Sequence, residues 1–130
     1  MTGNNLLDTN IVIELFKGDA AITSFLESLE DDINIPFAAL GELYLGAYRS
    51  ANPNKHIKQI NAFLKKCNVL IADEATANHY AQIKTALLQK GKPIPENDIW
   101  IAAVAQQFDL KLHTKDRHFK EIDLLNLQSW

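Results

Sequence analysis

Residues 95–114 read PENDIWIAAVAQQFDLKLHT, and this stretch decides the fold class. Pro95 opens a helix, because a residue with fixed φ and no N–H suits the start, where that donor has no intrahelical acceptor. The helix runs from Glu96 to Phe108, and Ala102, Ala103 and Ala105 allow it to pack closely against a sheet. Leu110 to Thr114 follows at once as a short strand. An alanine-rich helix running straight into a short apolar strand is part of the repeating unit of parallel α/β sheets.

The same alternation extends outward in both directions. Leu6-Leu7 is a first short strand ending at Asp8, and a helix from Asn10 to Lys17 stops at Gly18. A second helix, Ala20 to Leu29, carries Ile22, Phe25, Leu26 and Leu29 at helical spacing. Asp32 to Pro36 alternates like a strand, ended by the proline. Phe37 to Tyr48 is helical, and Asn52-Pro53 reads as an N-cap with proline at the first position of a further helix. That helix places Ile57, Ile60, Leu64 and Cys67 along one stripe. Val69 to Ile71 reads as a buried third strand. Asp73 opens a long helix to Lys90 that turns Ala77, Tyr80, Ile83 and Leu87 inward. Gly91 to Pro95 is a breaker-rich loop, and Leu124 to Leu127 is a fifth strand. The expectation is an α/β fold with a mainly parallel central sheet of about five strands. At 130 residues, 1–130 reads as a single domain.

Composition sets bounds on function. Hydrophobic residues make up 47% and charged ones 22%, as in an ordinary folded protein. The lone Cys67 cannot pair within the chain, which fits a reducing cytoplasm. The start, Met1-Thr2-Gly3-Asn4-Asn5, lacks the basic and apolar regions of a signal peptide, and Ile99 to Ala105 is far shorter than the ~20 residues that span a bilayer, so no membrane association is expected. A net charge of −3 argues against nucleic-acid binding by bulk charge. It does not exclude a site whose acids are neutralised by divalent cations.

Four acids stand where such a site would form if the first and fourth strands are neighbours. Ligands of parallel sheets gather beyond the C-terminal strand ends, where strand order reverses. Asp8 ends the first strand, and Asp116 lies just past the fourth. Glu42 lies early in the helix after the second strand, and Asp98 in the first turn of the helix before the fourth. Each has an ordinary local reading. Asp8 caps the following helix, Asp98 complements a helix dipole, Glu42 is a solvated helix residue, and Asp116 is a turn former. Glu42 and Asp98, however, abut stretches of small and apolar residues, where a carboxylate is costly without a cationic partner. A hard dication with oxygen ligands, Mg²⁺ or Mn²⁺, answers that cost better than Zn²⁺, since histidines and cysteines show no zinc spacing.

Leu7-Asp8-Thr9-Asn10, Glu42-Leu43 with Gly46, Asn97-Asp98 with Trp100-Ile101-Ala102-Ala103, and Thr114 to Phe119 together resemble the successive motifs of PIN-domain nucleases. Order and approximate spacing match over nearly the whole chain, and the last two motifs are similar to those of VapC toxins from toxin–antitoxin pairs. The resemblance implies a three-layer α/β/α sandwich and metal-dependent hydrolysis of RNA by an activated water. It implies Asp8 and Asp98 as principal metal ligands, Glu42 as a direct or water-mediated ligand, and Asp116 as a more variable fourth acid. One or two ions, Mg²⁺ or Mn²⁺, would be held. Thr9, Asn10, Asn97 and Thr114 would be supporting polar residues. The partners implied are a VapB-like antitoxin and a second copy of the chain. Ala38-Ala39 departs from the pattern, where many relatives place Ser or Thr.

Arg49, Lys90, Lys92, Lys115 and Arg117 are candidates for RNA phosphate contacts, against the ordinary reading of solvated surface. His56, His79, His113 and His118 are scattered and are not assigned catalysis. Asp73 reads as a cap, Glu30-Asp31-Asp32 as a solvated charge run, and Trp100 and Trp130 as packing or interface residues. Two rival functions remain. One is an RNA-processing nuclease without an antitoxin. The other is a receiver-type signalling domain, which lacks here the acid pair at the first strand and the acceptor aspartate at the third.

Overall fold

The computed structural model describes residues 4–30 and 32–130. In chain order the elements are β1 (Asn5–Leu7), α1 (Thr9–Phe16), α2 (Ala20–Ser28), β2 (Asn34–Pro36), α3 (Phe37–Tyr48), α4 (Pro53–Leu64) and β3 (Asn68–Leu70). There follow α5 (Glu74–Lys90), α6 (Glu96–Gln107), β4 (Lys111–Thr114), a 3-10 turn over Arg117–Glu121 and β5 (Leu127–Ser129). All strand pairs are parallel and the order is β3-β2-β1-β4-β5. The sequence therefore reverses its direction of growth between β1 and β4, whose register pairs Leu6 with Leu112 and Leu7 with His113.

Successive residues of a strand face opposite sides of the sheet, and the two leucines of β1 make this concrete. Leu6 packs with Leu112, Ile83, Leu87 and the apolar residues of α6, whereas Leu7 packs with Ile11, Val12, Ile22, Ile35, Leu43 and Ile60. Both leucines are fully buried. Two cores on two faces of one sheet make the three-layer α/β/α arrangement. The expected helix beginning at Pro95 is α6; Ile101, Ala102, Ala103 and Val104 along it are all fully buried. Its tight fit follows from small side chains that let the helix axis approach the strands.

Several local expectations need correction. The third strand is not fully buried: β3 lies at the sheet edge, Val69 is half-buried and Ile71 is 70% exposed. The fifth strand starts three residues later than Leu124, which is 98% exposed with a left-handed φ of 63°. Its register is set by pairing with β4 and by Trp130, whose backbone N–H donates to Thr114 O. In the first turn of α5 the inward residue is Thr76 and not Ala77, because Thr76 closes a capping box with Asp73 and also bonds Gln107, while Ile83 and Leu87 further along are buried as expected. Asp31 lies outside the described residues. Its neighbour Asp32 is no solvated acid, since it accepts from Asn4 N (2.6 Å), Asn5 Nδ2 (2.7 Å) and Asn34 Nδ2 (3.3 Å).

Candidate active site

Asp8 is both things the sequence allowed. It is the N-cap of α1, with Oδ1 accepting from Thr9 N at 2.7 Å, and it is buried at the β1/β4 reversal, only 3% exposed. Its Oδ2 accepts from Thr114 Oγ1 at 2.7 Å and from Asn10 Nδ2 at 3.3 Å. Thr114 Oγ1 in turn accepts from Asp116 N at 2.9 Å, and Asn10 Oδ1 accepts from Lys115 N at 3.1 Å. The ends of β1 and β4 are thus knotted through short polar side chains. Thr9 contributes its backbone N–H; its buried hydroxyl has no hydrogen-bond partner among the described residues.

The other acids approach from two helices and a turn. Asp98, in the first turn of α6, is 9% exposed and brings Oδ2 to 3.2 Å from His118 Nδ1. Asp116 Oδ1 accepts from His118 N at 2.9 Å and lies 3.1 Å from His118 Nδ1. Ligand atoms of Asp98, Asp116 and His118 lie within 4.8 Å of one another. Glu42 on α3 is half-buried and accepts from Asn97 Nδ2 at 3.2 Å, so the helix carrying Asp98 also orients Glu42.

Burial and neighbouring charge both act on these groups. Burial pushes the Asp8 carboxyl up to about 6 against hydrogen bonds from Thr114 and Thr9, and the charges of Asp98 and Glu42 push it the same way. Asp98 is likewise raised, first by burial and then by Asp116 and Glu42, while His118 opposes the shift. The His118 imidazole is raised, chiefly by its contact with Asp98. Among the described residues, no lysine or arginine forms an ion pair with any of the four acids.

His118 does not stand out in the sequence, where the histidines at 56, 79, 113 and 118 look scattered. The signal was the spacing in Asp116-Arg117-His118: in a tight turn, residues two apart fold onto each other. None of the remaining histidines bonds any of the four acids among the described residues. His113 is buried beneath the site, its Nε2 2.7 Å from Asn5 Oδ1 and its Nδ1 accepting from Trp130 Nε1 at 3.1 Å. Trp130 packs there against Phe25, and Trp100 stacks on Tyr80 at 4.0 Å.

Of the basic candidates, Lys115 and Arg117 flank Asp116 and are exposed. Lys115 Nζ stands 3.9 Å from Glu14. Arg49 is exposed at the C-cap of α3, two turns beyond Glu42, and Lys92 is exposed in the loop after α5. Neither touches the acids through any recorded ion pair or side-chain hydrogen bond among the described residues. Lys90 is committed to Glu121 O and Asp123 at 2.8 and 2.9 Å.

The PIN domain family model matches residues 6–125. This chain belongs to the PIN-domain family. Ribonuclease VapC1 of Haemophilus influenzae (strain R2866) is 33% identical over 129 residues, covering 96% of each protein. The tRNA(fMet)-specific endonuclease VapC of Shigella flexneri is 31% identical over 127 residues, again with 96% of both covered. In three dimensions the PIN domain described above is similar to the crystal structure of VapBC2 from Rickettsia felis bound to a promoter DNA fragment. The TM-score is 0.92 at 28% identity, over 97% of this chain and 98% of that one. The acid-bearing strand ends of this PIN domain therefore sit in the fold of the VapC ribonucleases.

Proposed function

We propose that this chain is the endoribonuclease toxin of a VapBC-type pair, and that Asp8, Glu42, Asp98 and Asp116 hold one or two Mg²⁺ or Mn²⁺ ions for phosphodiester hydrolysis. One observation carries the reading. Ligand atoms of Asp98 and Asp116 lie within 4.8 Å of each other, the charges of Asp98 and Glu42 act on the buried Asp8, and no lysine or arginine pairs with any of the four among the described residues. Buried like charges are expensive, and hard oxygen donors suit a hard dication, so the donor set fits that ion.

When bound, a divalent cation makes water acidic enough to yield hydroxide near neutral pH and offsets charge on the phosphate. The chain's own residues supply position. Thr9 N, Asn10 and Thr114 fix both oxygens of Asp8, and Asn97 fixes Glu42, so little side-chain freedom is lost when a ligand arrives. Water attacks phosphorus as the P–O3′ bond breaks in line, leaving a 5′-phosphate and a 3′-hydroxyl. The 2′-hydroxyl is not consumed, so preference for RNA rests on binding. Lys115 and Arg117, exposed beside Asp116, are the basic residues best placed to meet backbone phosphates.

A VapB-like antitoxin and a second copy of the chain are the partners in this reading. Phe37, Leu45 and Tyr48 on α3 are 36%, 56% and 68% exposed, and Glu42, Leu43, Gly46 and Ala47 of the same helix line an apolar groove of about 320 Å³. Apolar surface beside an active site suits a segment that blocks it. No helix is long and apolar enough to cross a membrane among the described residues. A cytoplasmic setting belongs to the proposal.

The test is cleavage of a structured RNA by wild type, Asp8→Asn and Asp98→Asn, with 5′ ends sequenced. Both variants should fold and lose about a hundredfold or more in rate, and chelator should stop the wild type. Wild-type rates in either variant, or full hydrolysis in excess chelator, would overturn the assignment.

A further inference from the structure

We propose that His118 Nδ1 is itself a ligand of the ion held by Asp98 and Asp116, and that this nitrogen biases the site toward a transition dication such as Mn²⁺ over Mg²⁺. The proposal rests on the metal-site reading above and adds a donor of a different chemical kind.

The geometry is that of adjacent ligands around one ion. Nδ1 lies 3.2 Å from Asp98 Oδ2 and 3.1 Å from Asp116 Oδ1. Neighbouring corners of an octahedron with bonds of ~2.0–2.1 Å are about 2.9 Å apart, so small side-chain shifts bring all three atoms onto one centre. The imidazole is not kept there by its own packing, since its side chain is 51% exposed. It is kept there by its neighbours. Phe119 is fully buried and anchors the turn, the His118 N–H is tied to Asp116 Oδ1, and the Asp116 N–H is tied to Thr114. A ring placed between two carboxylate oxygens by a backbone built around them is a preorganised donor set.

The identity of the third donor matters for the metal. Carboxylate and water alone suit Mg²⁺, whereas an imidazole nitrogen adds affinity for first-row transition ions and little for Mg²⁺. The carboxylates of Asp8, Glu42, Asp98 and Asp116 lack that donor, so the imidazole is what would widen the gap between the two ions.

The experiment uses the full chain at pH 8. Mn²⁺ binding is followed by the electron paramagnetic resonance of the free ion, and Mg²⁺ binding by its competition with Mn²⁺. Wild type, His118→Ala, His118→Gln and Asp98→Asn are compared, with thermal unfolding as the check on folding. Spin-echo modulation from a directly bonded ¹⁴N is expected in the wild type with Mn²⁺ and is expected to vanish in both His118 variants. Mn²⁺ affinity should fall about tenfold in His118→Ala while Mg²⁺ affinity changes less than about threefold. No nitrogen modulation in the wild type, or equal losses for both ions, would overturn the proposal and leave His118 as a positioning residue. If Asp98→Asn also binds Mn²⁺ as the wild type does, the site reading itself fails, which separates the two failures.

Discussion

Thr114 Oγ1 donates to Asp8 Oδ2 over 2.7 Å, joining the end of β4 to the end of β1 across 106 positions of sequence. The same hydroxyl oxygen accepts from Asp116 N at 2.9 Å. One fully buried side chain thus aligns an acid on each of the two strand ends. The site depends on this junction as much as on the acids.

Thr114→Val keeps the shape of the side chain and removes these two hydrogen bonds together with the longer one from Asn10 Nδ2 at 3.4 Å. A buried carboxylate oxygen and a backbone N–H are then left short of a partner, which costs about 1–3 kcal/mol of stability. Loss of the Thr114 hydroxyl also removes the largest influence holding the Asp8 carboxyl down, so its protonation rises further. Metal affinity is expected to fall about tenfold or more, as for other partners of ligands. Denaturant unfolding and Mn²⁺ titration of Thr114→Val and Thr114→Ser check this; the serine variant should recover most of both losses.

Asp8 makes the metal-free protein less stable than it need be. Its folded-state value of about 6 lies above the ordinary 3.8, so ionisation near neutral pH disfavours the folded state. The sign is fixed by that order: the penalty is full above about pH 6 and disappears as pH falls toward 4. The shift corresponds to roughly 2–3 kcal/mol at most. In chelator at pH 7.5, Asp8→Asn is therefore expected to melt several degrees higher than wild type, and at pH 3.5 to show no such advantage. Equal melting temperatures at pH 7.5 would contradict the burial argument. A residue whose removal stabilises the fold while abolishing cleavage is kept for chemistry.

The fold was legible because a parallel sheet covered on both faces makes its strands apolar runs and its crossover helices amphipathic or alanine-rich. Residues 95–114 display this directly. Asp8, Asp98 and Asp116 were legible for a less obvious reason. The positions that favour an acid locally, a helix N-cap, a first helical turn and a tight turn, are also the positions at the C-terminal edge of a parallel sheet. Local and functional readings therefore coincide in the same side chains. What escaped were contacts set by tertiary geometry. The start of β5 follows from Trp130 docking beside His113, the role of Asp32 follows from Asn5 and Asn34 lying on neighbouring strands, and His118 meets Asp98 only once α6 and the 3-10 turn are side by side.

His113 gives the last prediction, and it opposes the one from Asp8. The ring is 2% exposed, and burial, helped by Lys111, pushes its value down to about 4 from 6.5. Its hydrogen bonds agree with a neutral ring: Asn5 Oδ1 faces Nε2, which must donate, and Trp130 Nε1 donates to Nδ1. A histidine buried neutral contributes nothing to pH dependence above about 6.5, where both states are uncharged. As pH falls from 6.5 toward 4 the unfolded chain takes up the proton and the folded one resists, so stability drops by up to about 3 kcal/mol. Over much of the same window Asp8 loses its penalty, and the two effects partly cancel in the metal-free wild type. Removing one should expose the other. In chelator, Asp8→Asn is expected to lose stability steeply between pH 6.5 and 4.5, and His113→Gln to show a shallower acid loss than wild type or a gain. Denaturant melts of both variants at half-unit pH steps measure this, and parallel curves for wild type and His113→Gln would show that the ring does not titrate with folding.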